Sequence, residues 1–197
     1  MSEAPASRSA PRRALDALYR GSGALSAFFL VAICAVVLLQ VGANAVDKIA
    51  EWTTGEAIGL VVPSYAEFAG FFLAASSFLA LAYTLRHGGH VRVSLLVRRF
   101  TGKPRRVFEL WCCGFAALLC GYFAYFTMRL VIESWRFDDL SPGLIPVPLW
   151  IPQTSVALGL IILTVALADE FAVVLRGGEA AYMAAERQLE AQMEHGE

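Results

Sequence analysis

Charged side chains are scarce in this sequence, and they are distributed unevenly. Lys, Arg, Asp and Glu make up 17% of its 197 residues, whereas about 25% is usual for a soluble globular domain. The run from Gly21 to Val46 contains no charge, and three later windows contain very few. Such windows are typical of segments that lie in the hydrocarbon of a membrane. Too few residues remain between them for a separate soluble domain with a conventional active site.

Motifs for metal, redox or catalytic chemistry are also missing. The four cysteines lie inside the apolar windows and form no Cys-x-x-Cys pair, as expected of small side chains packed between helices: Cys34, Cys112, Cys113 and Cys120. The three histidines, His87, His90 and His195, lie outside the windows, whereas a haem-binding membrane anchor needs them in mid-span. No nucleophile–base pair or phosphate-binding loop is found. We therefore expect no catalytic residue, no metal site, no cofactor and no nucleic-acid partner.

The apolar windows predict an all-α integral membrane protein with four transmembrane helices. They cover about residues 21–46, 61–85, 108–132 and 149–175, and each supplies the roughly 20 residues that a spanning helix needs. The first window exceeds the apolar core of a signal peptide, about 7–15 residues, although Ala43-Asn44-Ala45 resembles a cleavage site. We therefore divide the chain into a basic N-terminus (1–20), a membrane domain (21–175) and an acidic tail (176–197), with Gly177-Gly178 ending the last helix.

Basic residues predict the orientation in the membrane. The N-terminus, the middle loop and the tail together hold thirteen Lys and Arg, whereas the other two loops hold one each, Lys48 and Arg136. Because basic loops stay in the cytoplasm, both termini are expected to be cytoplasmic. The four tryptophans lie near predicted span ends, as interfacial anchors do: Trp52, Trp111, Trp135 and Trp150.

The loop between the second and third windows is the most distinctive segment, and it reads RHGGHVRVSLL from Arg86 to Leu96. Gly88 and Gly89 permit a sharp turn. Beyond them, apolar residues recur at helical spacing, and Arg92, Arg98 and Arg99 fall outside the apolar face. The pattern predicts a short amphipathic helix from Arg92 to Phe100 that lies on anionic lipid headgroups. A plain basic loop that only fixes the topology is the alternative.

A few ionisable residues lie inside the predicted spans, where charge is costly. Glu67 in the second span and Arg129 in the third lie at similar depth, because these spans are antiparallel. We expect an interhelical ion pair near the outer face; separate snorkelling to water and a role in proton or substrate handling remain open. At the inner face, the pair Asp169 and Glu170 lies within reach of three basic side chains: Arg86, Arg105 and Arg106.

The segment Arg86–Leu96, with Gly89-His90-Val91-Arg92-Val93 at its centre, resembles the signature of the small membrane subunit of TRAP transporters, the tripartite ATP-independent periplasmic uptake systems. The similarity continues in Glu109-Leu110, in the Pro148–Pro152 sequence PLWIP and at Gly159. It covers roughly residues 20–175. Ser94 stands where the family often has an acidic residue, so a salt bridge carried by that acid is not expected.

The resemblance implies a small permease subunit in the bacterial inner membrane. Such a subunit packs on a large permease subunit and helps to dock a periplasmic substrate-binding protein, for ion-gradient-driven import of an organic acid. The substrate and the coupling ion, expected to be sodium, bind to the large subunit, which implies no binding residues here. Two alternatives remain from the sequence: a membrane anchor of a redox enzyme, and a stand-alone proton-coupled exporter that uses Glu67.

Overall fold

Four long helices make up the membrane domain. The structure, a computed structural model, describes residues 10–87 and 103–178. The helices are α1 (Ala10–Thr54), α2 (Tyr65–Arg86), α3 (Lys103–Arg136) and α4 (Trp150–Leu175). Each is long and apolar enough to cross a membrane, and the described residues form no strand beyond one isolated bridge, Leu140 to Pro148. The predicted all-α fold with four spanning helices is confirmed.

The helices form a row in which α2 and α4 are central. α1 packs on α2, α2 packs on α4, and α4 packs on α3, so α1 and α3 occupy the two edges. At the central contact, small residues such as Ala82 of α2 and Ala166 of α4 belong to one buried cluster. A Cβ at Gly159 of α4 would lie 2.6 Å from the backbone of Phe78 on α2. Only glycine permits so close an approach, which is common between membrane helices.

The contact of α1 with α2 combines a polar pair with aromatic packing. The Ser26 hydroxyl on α1 donates to the Ser76 carbonyl on α2 at 2.9 Å, and both serines are buried. Farther along, the rings of Phe29 and Phe72 lie 5.6 Å apart. Satisfying the serine hydroxyls within the protein avoids leaving a polar group in hydrocarbon, so this pair fixes the rotation of α1 against α2.

The helix boundaries depart from the predicted spans at the start of α2 and at the ends of the two edge helices. Residues 61–64 were expected to begin the second helix, but α2 begins at Tyr65 because Ser64 has a left-handed backbone, with φ 57°. The edge helices extend well past their apolar windows, since α1 has 45 residues and α3 has 34. At the other terminus the glycine prediction is confirmed: α4 ends at Leu175, and Gly177 has φ +84°.

Candidate functional site

One ion-pair cluster joins three helices at the end of the bundle where α2 terminates at Arg86. We call this end of the bundle the Arg86 end. The Arg86 guanidinium donates through Nη1 to Asp169 Oδ2 on α4 at 2.9 Å and through Nη2 to Asp16 Oδ1 on α1 at 3.0 Å. All three side chains are at least 84% buried, with 13%, 12% and 16% of their surface exposed for Arg86, Asp16 and Asp169. We call these three residues the ionic junction.

Two further side chains lie against the ionic junction. The Tyr19 ring lies 5.1 Å from the Arg86 guanidinium carbon, a cation–π arrangement. Arg12 adds a second cation, 3.7 Å from Asp169. Because a planar guanidinium has several N–H groups in fixed directions, Arg86 can bridge two carboxylates with a geometry that lysine cannot reproduce.

The prediction that Arg86 could neutralise Asp169 is confirmed, whereas the involvement of α1 was missed. A signal for it exists in the sequence, since Asp16 is the one acidic residue between Glu3 and Asp47. Arg106 takes a different role from the one expected. It donates to the carbonyls of Val174 and Leu175, at 3.2 and 2.8 Å, and so caps the negative end of α4. The Arg105 side chain lies outside the described residues.

At the opposite end of the bundle, which we call the Glu67 end, the loop of residues 137–149 packs on the start of α2. The loop is closed by two hydrogen bonds, Ser141 N to Val147 O and Leu149 N to Asp139 O, both 2.9 Å. The Ser64 hydroxyl accepts from the Ile145 amide at 3.0 Å. This loop therefore ties the link between α3 and α4 to α2.

Glu67 and Arg129 do not form the expected interhelical pair. Arg129 lies 3.6 Å from Glu133 on its own helix, while the Glu67 carboxylate lies against Gly143, where a Cβ would overlap it. Glu67 Oε2 is buried and has no hydrogen-bond partner among the described residues. The physical reason is the order of the row. Because α4 lies between α2 and α3, similar depth does not bring the two side chains together.

The edge helix α3 carries an exposed stripe that sequence reasoning also missed. Its members recur at spacings of four and three residues and are all exposed, and we call them the α3 stripe: Trp111, Phe115, Leu118, Tyr122, Tyr125 and Arg129. Such spacing places them on one face of the helix. The rings of Trp111 and Phe115 stack nearly parallel with centroids 5.6 Å apart. The spacing of the aromatic residues was the available signal.

The other predicted site residues are distributed along the molecule. Trp52 and Trp135 are exposed near the ends of α1 and α3, and Trp150 begins α4. The predicted amphipathic helix and most of the family-motif residues lie outside the described residues: Gly88, Gly89, His90, Arg92, Arg98 and Arg99. Within the described ranges no group of three metal-ligating side chains occurs.

Comparison with known proteins gives one family. The sequence model of the family described as "Tripartite ATP-independent periplasmic transporters, DctQ component" matches residues 58–177, more than half of the chain. The C4-dicarboxylate TRAP transporter small permease protein DctQ of Rhodobacter capsulatus is 31% identical over 78 residues, which cover 40% of this chain and 34% of that protein. The match thus spans about a third of the relative's length. No solved structure matches.

These matches support neither of the alternatives left open by the sequence, the redox-enzyme anchor and the stand-alone exporter. The family match includes α2, α3 and α4, and hence Arg86 and Asp169 of the ionic junction together with the whole α3 stripe. The chain belongs to the family of DctQ components of tripartite ATP-independent periplasmic transporters.

Proposed function

We propose that this chain is the small permease subunit of a TRAP transporter in the bacterial inner membrane, a non-catalytic scaffold for a large permease subunit. It helps to dock a periplasmic substrate-binding protein, and the complex imports an organic acid driven by an ion gradient. Family membership carries this proposal. The name of the Rhodobacter relative makes C4-dicarboxylates the first substrates to test. Substrate and coupling ion, sodium in this proposal, bind to the large subunit.

The distribution of basic residues supports a cytoplasmic position for one end of the bundle and a periplasmic position for the other. Thirteen Lys and Arg flank the helices on the side of the Arg86 end, against Lys48 and Arg136 at the other, so the Arg86 end faces the cytoplasm. The Glu67 end, with its closed loop 137–149, then faces the periplasm. That loop is one part of the chain available to a periplasmic binding protein, and it exposes large apolar side chains such as Phe137 and Leu144.

The α3 stripe is the surface best suited to the large subunit. The midpoint of the candidate span Arg106–Arg136 is residue 121. Tyr122 and Tyr125 therefore lie about 1.5 and 6 Å from that midpoint along the helix, well within a hydrocarbon core about 30 Å thick. Neither hydroxyl finds a hydrogen-bond partner within the described parts of this chain, and both side chains point outward.

Exposed tyrosines near a midpoint are unusual for a surface that meets lipid. Tyrosine is enriched at the membrane–water interface, where its hydroxyl can reach water. In hydrocarbon an unbonded hydroxyl costs roughly 4–8 kcal/mol relative to water, whereas a neighbouring membrane protein can supply an acceptor. The α3 stripe therefore fits a protein partner better than it fits acyl chains, and the large permease subunit is that partner.

Purification and uptake test the proposed function. The tagged chain, extracted from its native membrane, should bring down a large multi-pass membrane protein, and deletion of its gene should abolish binding-protein-dependent uptake of labelled C4-dicarboxylate. Complementation with the tagged chain should restore uptake. A stable homo-oligomer that transports substrate without a second membrane protein would contradict the proposal.

Photo-crosslinking tests the assigned surface. A benzophenone side chain at Leu118, on the α3 stripe, should form an adduct with the large subunit. The matched control is Leu38 on α1, which is similarly exposed, with 69% against 71% of its surface accessible. It should form no protein adduct. Equal crosslinking from both positions, or crosslinking from Leu38 alone, would show that the α3 stripe is not the contact surface.

A further inference from the structure

The connection between α1 and α2 folds back along α1 instead of projecting from the membrane domain. After Thr54 the chain turns at Gly55, with φ +79°, and residues 57–62 have no regular structure. Asp47 Oδ1 accepts from the Gly59 amide at 2.7 Å, and Gln40 Oε1 accepts from the Val62 amide at 2.9 Å. Because residues 40 and 47 lie on one face of α1, two turns apart, the connection runs antiparallel to the helix. We call residues 55–62 the strap.

The side chains of the strap are apolar and point away from the protein. Glu56 is its one charged residue, whereas Ile58 and Val61 each have 63% of their surface exposed. Trp52, in the last turn of α1 beside the strap, is 86% exposed. A connection that lies in water is usually polar and rich in turn residues. The strap has the opposite character, with its polar contacts directed inward.

Side chains of α1 accept hydrogen bonds from two amides of the strap, those of Gly59 and Val62. Each of these bonds lowers the cost of bringing irregular backbone towards a membrane, where unsatisfied polar groups are expensive. Gln40, only 7% exposed, supplies an acceptor to the strap, and its amide nitrogen donates to Asn44 at 3.0 Å. Asp47 supplies the second acceptor. The two polar side chains of α1 that face the strap are thus engaged.

The position of the strap along α1 identifies its surroundings. Val62 pairs with Gln40, which is six residues inside the uncharged run that ends at Val46. Six residues of helix correspond to about 9 Å, so the Val62 end of the strap reaches the level of the apolar part of α1, while Gly59, which pairs with Asp47, lies at the outer edge of that part. We infer that the strap lies against the lipid of the membrane at the Glu67 end, with Val61 in contact with acyl chains and with Ile58 and Trp52 at the boundary of the headgroup layer.

Spin-label accessibility in the assembled transporter, reconstituted in phosphatidylethanolamine–phosphatidylglycerol nanodiscs, tests this inference directly. Labels are attached to cysteines placed singly at 58 and 61 in a variant without the native cysteines. Collisions with oxygen, which dissolves in lipid, should exceed collisions with a water-soluble nickel chelate, as at the lipid reference Leu38. A label at Glu56 should show the reverse. Nickel access at 58 and 61 equal to that at Glu56 would mean that the strap lies in water.

Protection of 58 and 61 from both reagents would mean that a protein covers the strap, and this too would overturn the inference. A second variant probes the cause. Gln40→Leu removes the acceptor for the Val62 amide, so the label at 61 should lose its preference for oxygen. The matched control is Asn44→Ala, which removes the hydrogen bond between Gln40 and Asn44 but keeps the acceptor for the Val62 amide, and it should leave the label unchanged. An unchanged label in both variants would show that Gln40 does not hold the strap. Because each label reports on this chain alone, the result does not depend on which substrate the transporter carries.

Discussion

The two edge helices of the row present opposite kinds of surface. The outward face of α1 is mainly aliphatic, with residues such as Val31 and Leu38 exposed beside the exposed aromatic residue Phe28. The outward face of α3 is aromatic, and it carries two hydroxyls near its midpoint and an ion pair, Arg129 with Glu133. Acyl chains can satisfy the first surface but not the second. The outward faces of α1 and α3 are both hydrophobic, so hydrophobicity does not tell whether lipid or protein lies against them. The polar groups on such a face are what indicate its neighbour.

The edges also differ in how they are attached to the centre. α1 is held at the Arg86 end by charge, through Asp16 in the ionic junction, and farther along by the Ser26–Ser76 pair. α3 is held on α4 mainly by apolar contacts, such as Phe171 beside Gly114, with Arg106 capping the end of α4. Attachment by charge is vulnerable to single substitutions, because loss of one partner leaves another charge buried.

The largest effect is expected from Arg86→Gln. This change leaves the carboxylates of Asp16 and Asp169 buried without their main cation, so the free energy of unfolding should fall by about 3–5 kcal/mol. Unfolding of the purified subunit by titration with a denaturing detergent measures it. The control is Lys48→Gln, which breaks an exposed pair with Glu51 on the edge helix α1 and should leave the free energy of unfolding nearly unchanged, because surface ion pairs contribute little. Equal losses would remove the distinction between a buried junction and a surface pair.

A smaller effect is expected at the centre of the row, from Gly159→Ala. The new Cβ would lie 2.6 Å from the Phe78 backbone, so α2 and α4 must separate, at a cost of about 1–3 kcal/mol for overpacking. The same unfolding titration measures the loss. Gly70→Ala on α2 is the matched control, since nothing lies within 4 Å of its added Cβ. A destabilisation by Gly70→Ala as large as that by Gly159→Ala would argue against α2 and α4 as the close-packed centre.

The difference between the two outward faces predicts that Tyr122→Phe with Tyr125→Phe weakens binding of the large subunit. Only the two hydroxyls are removed, at about 0.6 kcal/mol each for a typical hydrogen bond within a membrane, which corresponds to a several-fold higher dissociation constant. A binding titration in nanodiscs measures it. Tyr65→Phe, at the start of α2, keeps the same chemistry outside the α3 stripe and should change nothing. If the double variant binds as tightly as the unaltered chain, the hydroxyls face lipid or water instead.

The smallest effect is expected from Ser26→Ala, which tests how much the serine pair contributes to the attachment of α1 to α2. Loss of the bond to the Ser76 carbonyl should cost about 0.6 kcal/mol, well below the cost of Arg86→Gln. Ser77→Ala, at an exposed position beside Ser76, should be neutral. A loss at Ser26 as large as that at Arg86 would mean that the serine pair, and not the ionic junction, dominates the attachment of α1.

The sequence alone determined which parts of this chain cross a membrane, because charge and hydrophobicity are read along the chain one residue at a time. The four spans, the helix end near Gly177 and the proximity of Arg86 to Asp169 followed from local properties and from depth. The family resemblance in the Arg86–Leu96 segment and in the later motifs likewise needed no structure. It led to the same family that the sequence comparison identifies.

Only the tertiary structure decided which helices are neighbours. Glu67 and Arg129 have suitable charge and depth, yet α4 lies between their helices, and depth contains no information about the order of the row. For the same reason the sequence did not show that Asp16 joins Arg86, or that the face bearing Tyr122 points outward. These features depend on the rotation and lateral position of each helix, which are fixed by contacts between residues far apart in the chain, such as Gly159 with Phe78.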